Sequence, residues 1–355
     1  MDELGLLERL VRRYSPSGRE AGAVAEFVRL ARELGYRSRI DRVGNGIAER
    51  GRGRPLVLFL GHIDTVEGRR PVLRRGDRLH GRGTVDAKGA LAAALLAGRG
   101  FSGPGTFRIV AAVGEETDSR GARAIARSRR PEFVIAGEPS GWDGVTIGYK
   151  GDLRLRATFR GRRTHWSSPF PTAADRALAW VGELRELAAR RTEESPFRSL
   201  TVKVVGLACD PGADPEEARV TVDLRLPPGT TTGDLLAEIR GGAARPELQV
   251  LCQVEPMEAS RTDPVVLALS GAIRGAGGRP TLWRRAGTSD LNVVAPVWGC
   301  TGAAYGPGDA RLDHTDRELL RTADLRRAAL VLRAALETLV QPGAGPTPPP
   351  TAVAP

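Results

Sequence analysis

The sequence predicts an α/β protein, with a mixed, mostly parallel sheet sandwiched by helices and a smaller inserted α+β domain of ferredoxin-like order. Three observations carry this expectation. In the first half, short apolar runs alternate with helical segments, the order that builds parallel sheets covered on both faces. From about Gly151 the order becomes βαββαβ. After Pro264 the first style returns, in a chain of 355 residues, longer than the ~250–300 at which single cores stop growing. The expected domains are therefore 1–150 with 256–340, an insert at 151–255, and a Pro/Gly/Thr-rich disordered tail at 341–355.

Residues 3–14 and 20–34 carry helical periodicity, and Ser17 with Glu20 reads as a capping box for the second helix. A buried-type strand is expected at 55–61, a small-residue helix at 88–96, a strand at 106–113, a short helix at 121–128 and a strand at 132–136. In the insert, strands are expected at 152–160, 200–205, 218–226 and 247–254, with helices at 173–190 and 232–240. A last helix is expected at 316–339, entered through a capping box of Thr315 and Glu318.

Composition excludes several classes. No apolar run reaches membrane-spanning length, and the acidic, amphipathic N-terminus is no secretory signal. Three well-separated cysteines, Cys209, Cys252 and Cys300, argue against a disulfide framework and for a reducing cytoplasm. The net charge is +11, and all but three of the 53 basic residues are arginine. Those arginines are scattered and aromatics make up only 5%, so the charge does not form a nucleic-acid surface. A basic surface is compatible with an acidic protein partner.

The chemistry lies in four clusters at strand-to-loop junctions. They are Gly61-His62-Ile63-Asp64, Val85-Asp86-Ala87-Lys88-Gly89, Gly114-Glu115-Glu116 and Gly137-Glu138-Pro139. Carboxyl ends of parallel strands share one edge, where ligands bind. Acids gathered there would resist ionising together, and divalent cations resolve that conflict. Imidazole with carboxylate suits zinc or a similar borderline ion. His314 is a late fifth candidate, whereas His80 reads as a structural histidine.

His62-x-Asp64, Gly81-Arg82-Gly83…Asp86-x-Lys88-Gly89, Glu115-Glu116, Glu138-Pro139 and His314, in that order over residues 5–340, resemble the zinc aminoacylase and deacylase family. Acetylornithine deacetylase and succinyl-diaminopimelate desuccinylase are among its members. The resemblance implies a zinc exopeptidase-like fold with two divalent ions, zinc or alternatively cobalt. Asp86 would bridge them, His62 and Glu138 completing one site and Glu116 and His314 the other. It also implies that Asp64 orients His62, that Glu115 is the general base, and that His165 stabilises the oxyanion. Trp166 stands where the family has a small residue. Arg225, Thr288 and Ser289 match substrate-side segments, and the insert corresponds to a lid that also forms a homodimer interface.

Residues 137–151 and 287–294 are similar to a narrower branch that releases lysine or ornithine from an acidic amino-group carrier protein, in lysine or arginine biosynthesis. The segment Gly141-Trp142-Asp143-Gly144 favours that substrate over a small acyl amino acid. A small-molecule deacylase is the second reading. A third, an inactive metal-binding scaffold, is opposed by intact Asp86, Glu115 and His314.

Overall fold

The structure is a computed structural model that describes residues 2–341 except 164, 166, 211–213 and 301. The expected disordered tail falls, apart from Gln341, outside the described residues. The chain divides into two compact units, one of residues 1–148, 259–283 and 289–355, the other of residues 149–258 and 284–288.

The first unit opens with α1 (Glu3–Val11), capped by Asp2 accepting from Gly5 N at 2.8 Å, and α2 (Ala21–Glu33). The hairpin β1 (Arg37–Ile40) and β2 (Gly46–Arg52) follows, then β3 (Leu56–His62), whose seven residues are all buried. Short β4 (Leu73–Arg75) and β5 (Arg78–His80) lead to α3 (Lys88–Ala97). That helix is apolar on every side and buried at all but one position, as a helix covered on both faces must be. After it come β6 (Gly105–Ala112), α4 (Arg120–Ala126), β7 (Phe133–Gly137) and β8 (Gly144–Tyr149).

The second unit holds β9 (Gly151–Gly161), α5 (Ala173–Arg190), β10 (Thr201–Asp210), β11 (Glu216–Leu226), α6 (Thr232–Gly241) and β12 (Glu247–Val254). Its sheet has the order β10-β11-β9-β12, antiparallel throughout, which is the ferredoxin-like arrangement. Trp180, with Phe159 edge-on at 6.1 Å, anchors a separate apolar core between this sheet and α5. The short strands β13 (Met257–Glu258) and β14 (Thr281–Arg285) flank α7 (Pro264–Gly275). The chain then adds α8 (Asp290–Trp298), β15 (Ala303–Ala304), β16 (Leu319–Arg321) and α9 (Thr322–Leu339).

The large sheet runs β1-β2-β6-β3-β7-β15-β8. Its centre is parallel, with β3 between β6 and β7, in a register that pairs His62 with Ala112 and Gly61 with Gly137. Three adjacent strands therefore end together, and the loops that follow open on one edge. The flanking β1 and β2 are antiparallel. Phe27, Phe59 and Phe107 are fully buried in this core, and truncating any one to Ala would cost about 3–5 kcal/mol.

Two expected capping boxes are corrected. Glu20 itself precedes α2 and makes no side-chain cap, while Ser17 donates to Asp64 Oδ2 at 2.7 Å. The last helix starts at Thr322, not Asp316, and Glu318 caps nothing. Residues 319–321 instead pair antiparallel with β5, so tertiary pairing overrides a locally helical composition.

Candidate metal centre

The sheet edge brings together residues that lie up to 252 positions apart (His62 and His314), all within the first unit. His62 ends β3, Glu115 and Glu116 follow β6, Glu138 follows β7, and Asp86 precedes α3. His62, Asp86 and Glu138 offer ligand atoms within 4.8 Å of one another, and so do Asp86, Glu116 and His314. A third group, His62 with Glu115 and Glu116, overlaps both. Asp86 is common to the first two: its Oδ1 lies 2.9 Å from His62 Nε2 and its Oδ2 3.0 Å from His314 Nε2. His314 Nε2 is also 3.2 Å from Glu116 Oε1. His314 has φ +60, a left-handed conformation that is costly for a histidine and persists only where its surroundings impose it.

Asp64 is fully buried and supports the turn that carries the two glutamates. Its carboxylate accepts from Glu115 N at 3.2 Å, Glu116 N at 3.1 Å and the Ser17 hydroxyl. His62 Nδ1 is nearer to the Asp64 carbonyl (3.0 Å) than to its carboxylate (3.6 Å). Asp64 thus orients the glutamate turn at least as directly as it orients the imidazole. Sequence reading overlooked Ser17 as part of the site, because a serine one turn before a helix looks like a cap.

The electrostatics are those of an anion-rich cluster with too little positive charge. Burial pushes Glu115 well above the usual carboxylate range; Glu138, Asp290 and Glu116 add to this and His62 opposes it. Burial does the same to Glu138, with Asp86, Asp290 and Glu116 adding. Asp86 is held low in spite of its burial by hydrogen bonds from His314 and His62. His314 is pushed up to about 10 by Asp86 and Glu116. Two imidazoles and four carboxylates that cannot all ionise unaided fit a pair of divalent cations, and the donor set passes that test.

The remaining expected residues lie elsewhere. His165 is in an exposed segment of the second unit, with Nδ1 2.8 Å from Ser167 Oγ, and its neighbours Thr164 and Trp166 lie outside the described residues. Arg225, also in the second unit, pairs with Asp223 at 2.8 Å and Asp152 at 3.6 Å. Ser289 caps α8 in a reciprocal box with Asn292, and Thr288 is half-buried just before it. The acid of that segment that acts on the cluster is Asp290, buried in the first turn of α8. Burial pushes it up to about 7, with His62 opposing and Asp64 adding.

The Gly141–Gly144 segment is structural. Trp142 packs against the core under the Arg327 guanidinium, 4.7 Å from its ring centroid, and its carbonyl accepts from the Tyr305 hydroxyl at 2.6 Å. The neighbouring Ser140 hydroxyl donates to Gly144 O at 2.9 Å, bracing the turn after Glu138.

Residues 58–338 match the family described as Peptidase family M20/M25/M40, and the chain belongs to that family. It is similar to LysW-lysine hydrolase of Deinococcus radiodurans, 37% identical over 94% of this chain and 96% of that protein. LysW-lysine/LysW-ornithine hydrolase of Sulfurisphaera tokodaii is 29% identical over 94% of each chain. Among solved structures, aminopeptidase PepT of Bacillus cereus superposes with TM-score 0.78 at 18% identity, covering 96% of this chain and 98% of that one. The metallo-carboxypeptidase Sso-CP2 of Sulfolobus solfataricus superposes with TM-score 0.73 at 16% identity over 96% and 100%. These structures share the mixed α/β fold with its mostly parallel sheet.

Proposed function

We propose that this chain is a two-metal amidohydrolase that releases L-lysine, L-ornithine or both from an acidic amino-group carrier protein, in lysine or arginine biosynthesis. The bond cut would join the γ-carboxyl of the carrier's C-terminal glutamate to the amino group of the product. One observation carries the reading: near-full-length identity of 37% to a LysW-lysine hydrolase, in a chain whose Asp86-centred donor cluster is complete. The +11 charge suits an acidic partner.

We assign His62, Asp86 and Glu138 to one ion and Asp86, Glu116 and His314 to the other, zinc or alternatively cobalt. The ions, when bound, supply Lewis-acid polarisation of the scissile carbonyl and of the attacking water. Glu115 takes a proton from that water and returns it to the leaving amine. Asp64 keeps Glu115 in place through the backbone bond described above, and His165 is the proposed oxyanion partner. Arg225, Thr288 and Ser289 are proposed substrate contacts.

The second unit, 151–255 in the sequence reading, is the proposed lid and dimerisation domain. Its edge strand β10 supports a homodimer: Val205 and Leu207 are each 55% exposed on it, and an outer edge without a partner strand among the described residues can pair with a second copy. Three free cysteines, and among the described residues no helix long and apolar enough to cross a membrane, support work in the cytoplasm.

Purified, metal-loaded protein should release lysine or ornithine from carrier conjugates, and both chelation and Glu115→Gln should abolish release, the variant by at least ~100-fold. Turnover of N-acetylornithine alone would move the chain to the small-molecule deacylases, a reading that the structural role of Trp142 leaves open. No turnover of any of the three would sink the enzymatic reading.

A further inference from the structure

The loop that carries Asp86 is built around a carboxylate that no step above uses. Glu318 is 2% exposed, and its Oε1 accepts from Gly83 N at 3.0 Å, Val85 N at 3.1 Å and Asp86 N at 3.1 Å. Oε2 takes a second bond from Gly83 N at 3.1 Å and one from Arg82 Nη1 at 3.0 Å. Converging backbone N–H groups of a tight turn form an anion-binding concavity, and here the chain supplies the anion itself. The turn itself needs glycine at its start: Gly83 has φ +86, and a Cβ there would meet Thr65 Cγ2 at 2.9 Å and Lys88 Cδ at 3.3 Å.

Glu318 also reaches the other half of the cluster. It lies four residues after His314, and its own carbonyl accepts from Gly81 N at 3.3 Å. Arg82, 6% exposed, donates to Thr315 O at 3.2 Å, one residue after His314. Two loops more than 200 residues apart in sequence are thus tied by one buried ion pair. The Asp86 carboxylate meets both imidazoles, at 2.9 and 3.0 Å.

We propose that Glu318, clamped by Arg82, is a positioning residue that sets Asp86 and His314 in register for metal binding. Its carboxylate is the template of the Gly83–Asp86 turn. Its backbone and its arginine partner fix the segment that presents His314. The proposal rests on the reading of Asp86 as a shared metal ligand.

The test is titration of metal-free, full-length protein with Co²⁺, following both affinity and the visible absorption envelope, which reports ligand geometry. Glu318→Gln should bind Co²⁺ about 10- to 100-fold more weakly, the usual effect of losing a group that orients a ligand, with an altered envelope. Glu26→Gln is the control for burial alone. Glu26 is also a buried carboxylate, 4% exposed, with Arg9 and Arg29 each 2.7 Å from it, and it is not part of the cluster. That variant should lower the thermal midpoint and leave Co²⁺ affinity and spectrum as in wild type. A Glu318→Gln protein that differs from wild type only in its thermal midpoint overturns the proposal. Should that variant not fold, Arg82→Lys replaces it: the guanidinium also donates from Nε to Gly68 O at 3.3 Å, and a single ammonium cannot span Gly68, Thr315 and Glu318. A several-fold loss of affinity is expected there, and wild-type affinity overturns the proposal. Wild-type protein that takes up no Co²⁺ would refute the metal assignment itself, and this inference with it.

Discussion

Charge at single residues is arranged differently in the two units. In the first, anions cluster around Asp86; in the second, Lys150 is a buried cation. Its ammonium donates to Pro196 O at 3.1 Å and lies 3.5 Å from Thr201 Oγ1. Burial, with the Arg225 charge adding to it, pulls it down to about 8 from 10.5. Because the folded value lies below the unfolded one, the unfolded chain binds this proton more tightly between about pH 8 and 10.5. Stability conferred at this site therefore rises as pH climbs through that window and is flat below it. Comparing thermal midpoints of wild type and Lys150→Met from pH 7 to 10 checks this: the difference should shift in favour of wild type above pH 8. A difference independent of pH would refute it. Lys88 is also pulled down, to about 7, by burial, but it is common to both proteins and cancels in the difference.

Among the elements, α3, β3 and α5 were legible because each is long and strongly patterned. The seven buried residues of β3 and the small-residue run of α3 admit few alternatives. Short strands were not legible: β4, β5 and β16 have three residues each, too few to show a period. Their pairing partners lie far away in sequence, as Leu319 with His80 shows. Strand β10 belongs to this scale as well. It runs to Asp210, five residues beyond the expected end, with a bulge between Val204 and Gly206 and an outer edge without a partner strand among the described residues. Replacing Val205 and Leu207 together by Glu should convert a dimer to monomers in sedimentation velocity. A protein that is dimeric before and after would exclude β10 as the interface.

For the whole molecule, cation binding should be a stability term. The first unit holds Asp86, Glu115, Glu116 and Glu138 close together, so removing metal leaves their repulsion uncompensated. Chelation is expected to lower the thermal midpoint by several degrees. Zn²⁺ at about 100 times its dissociation constant should restore ~2.7 kcal/mol, measured by calorimetry. An unchanged midpoint in chelator, on protein shown to have carried metal, would count against the cluster as the site.

The sequence by itself determined the α/β class, the βαββαβ order of the insert and which acids and histidines stand at the strand ends. Those features are local: periodicity lies within one element, and His62-x-Asp64 or Glu115-Glu116 can be read wherever a buried strand ends. Only the tertiary structure decided how the donors are held. Ser17 looked like a helix cap and instead holds Asp64; Glu318 looked like half of a capping box and instead templates the Asp86 turn. In both cases the side chain had two chemically sensible partners, one nearby in sequence and one distant. Which partner is taken depends on the parallel register of β6, β3 and β7, and on the pairing of β16 with β5. Register is set by burial summed over the whole sheet, which no single segment encodes.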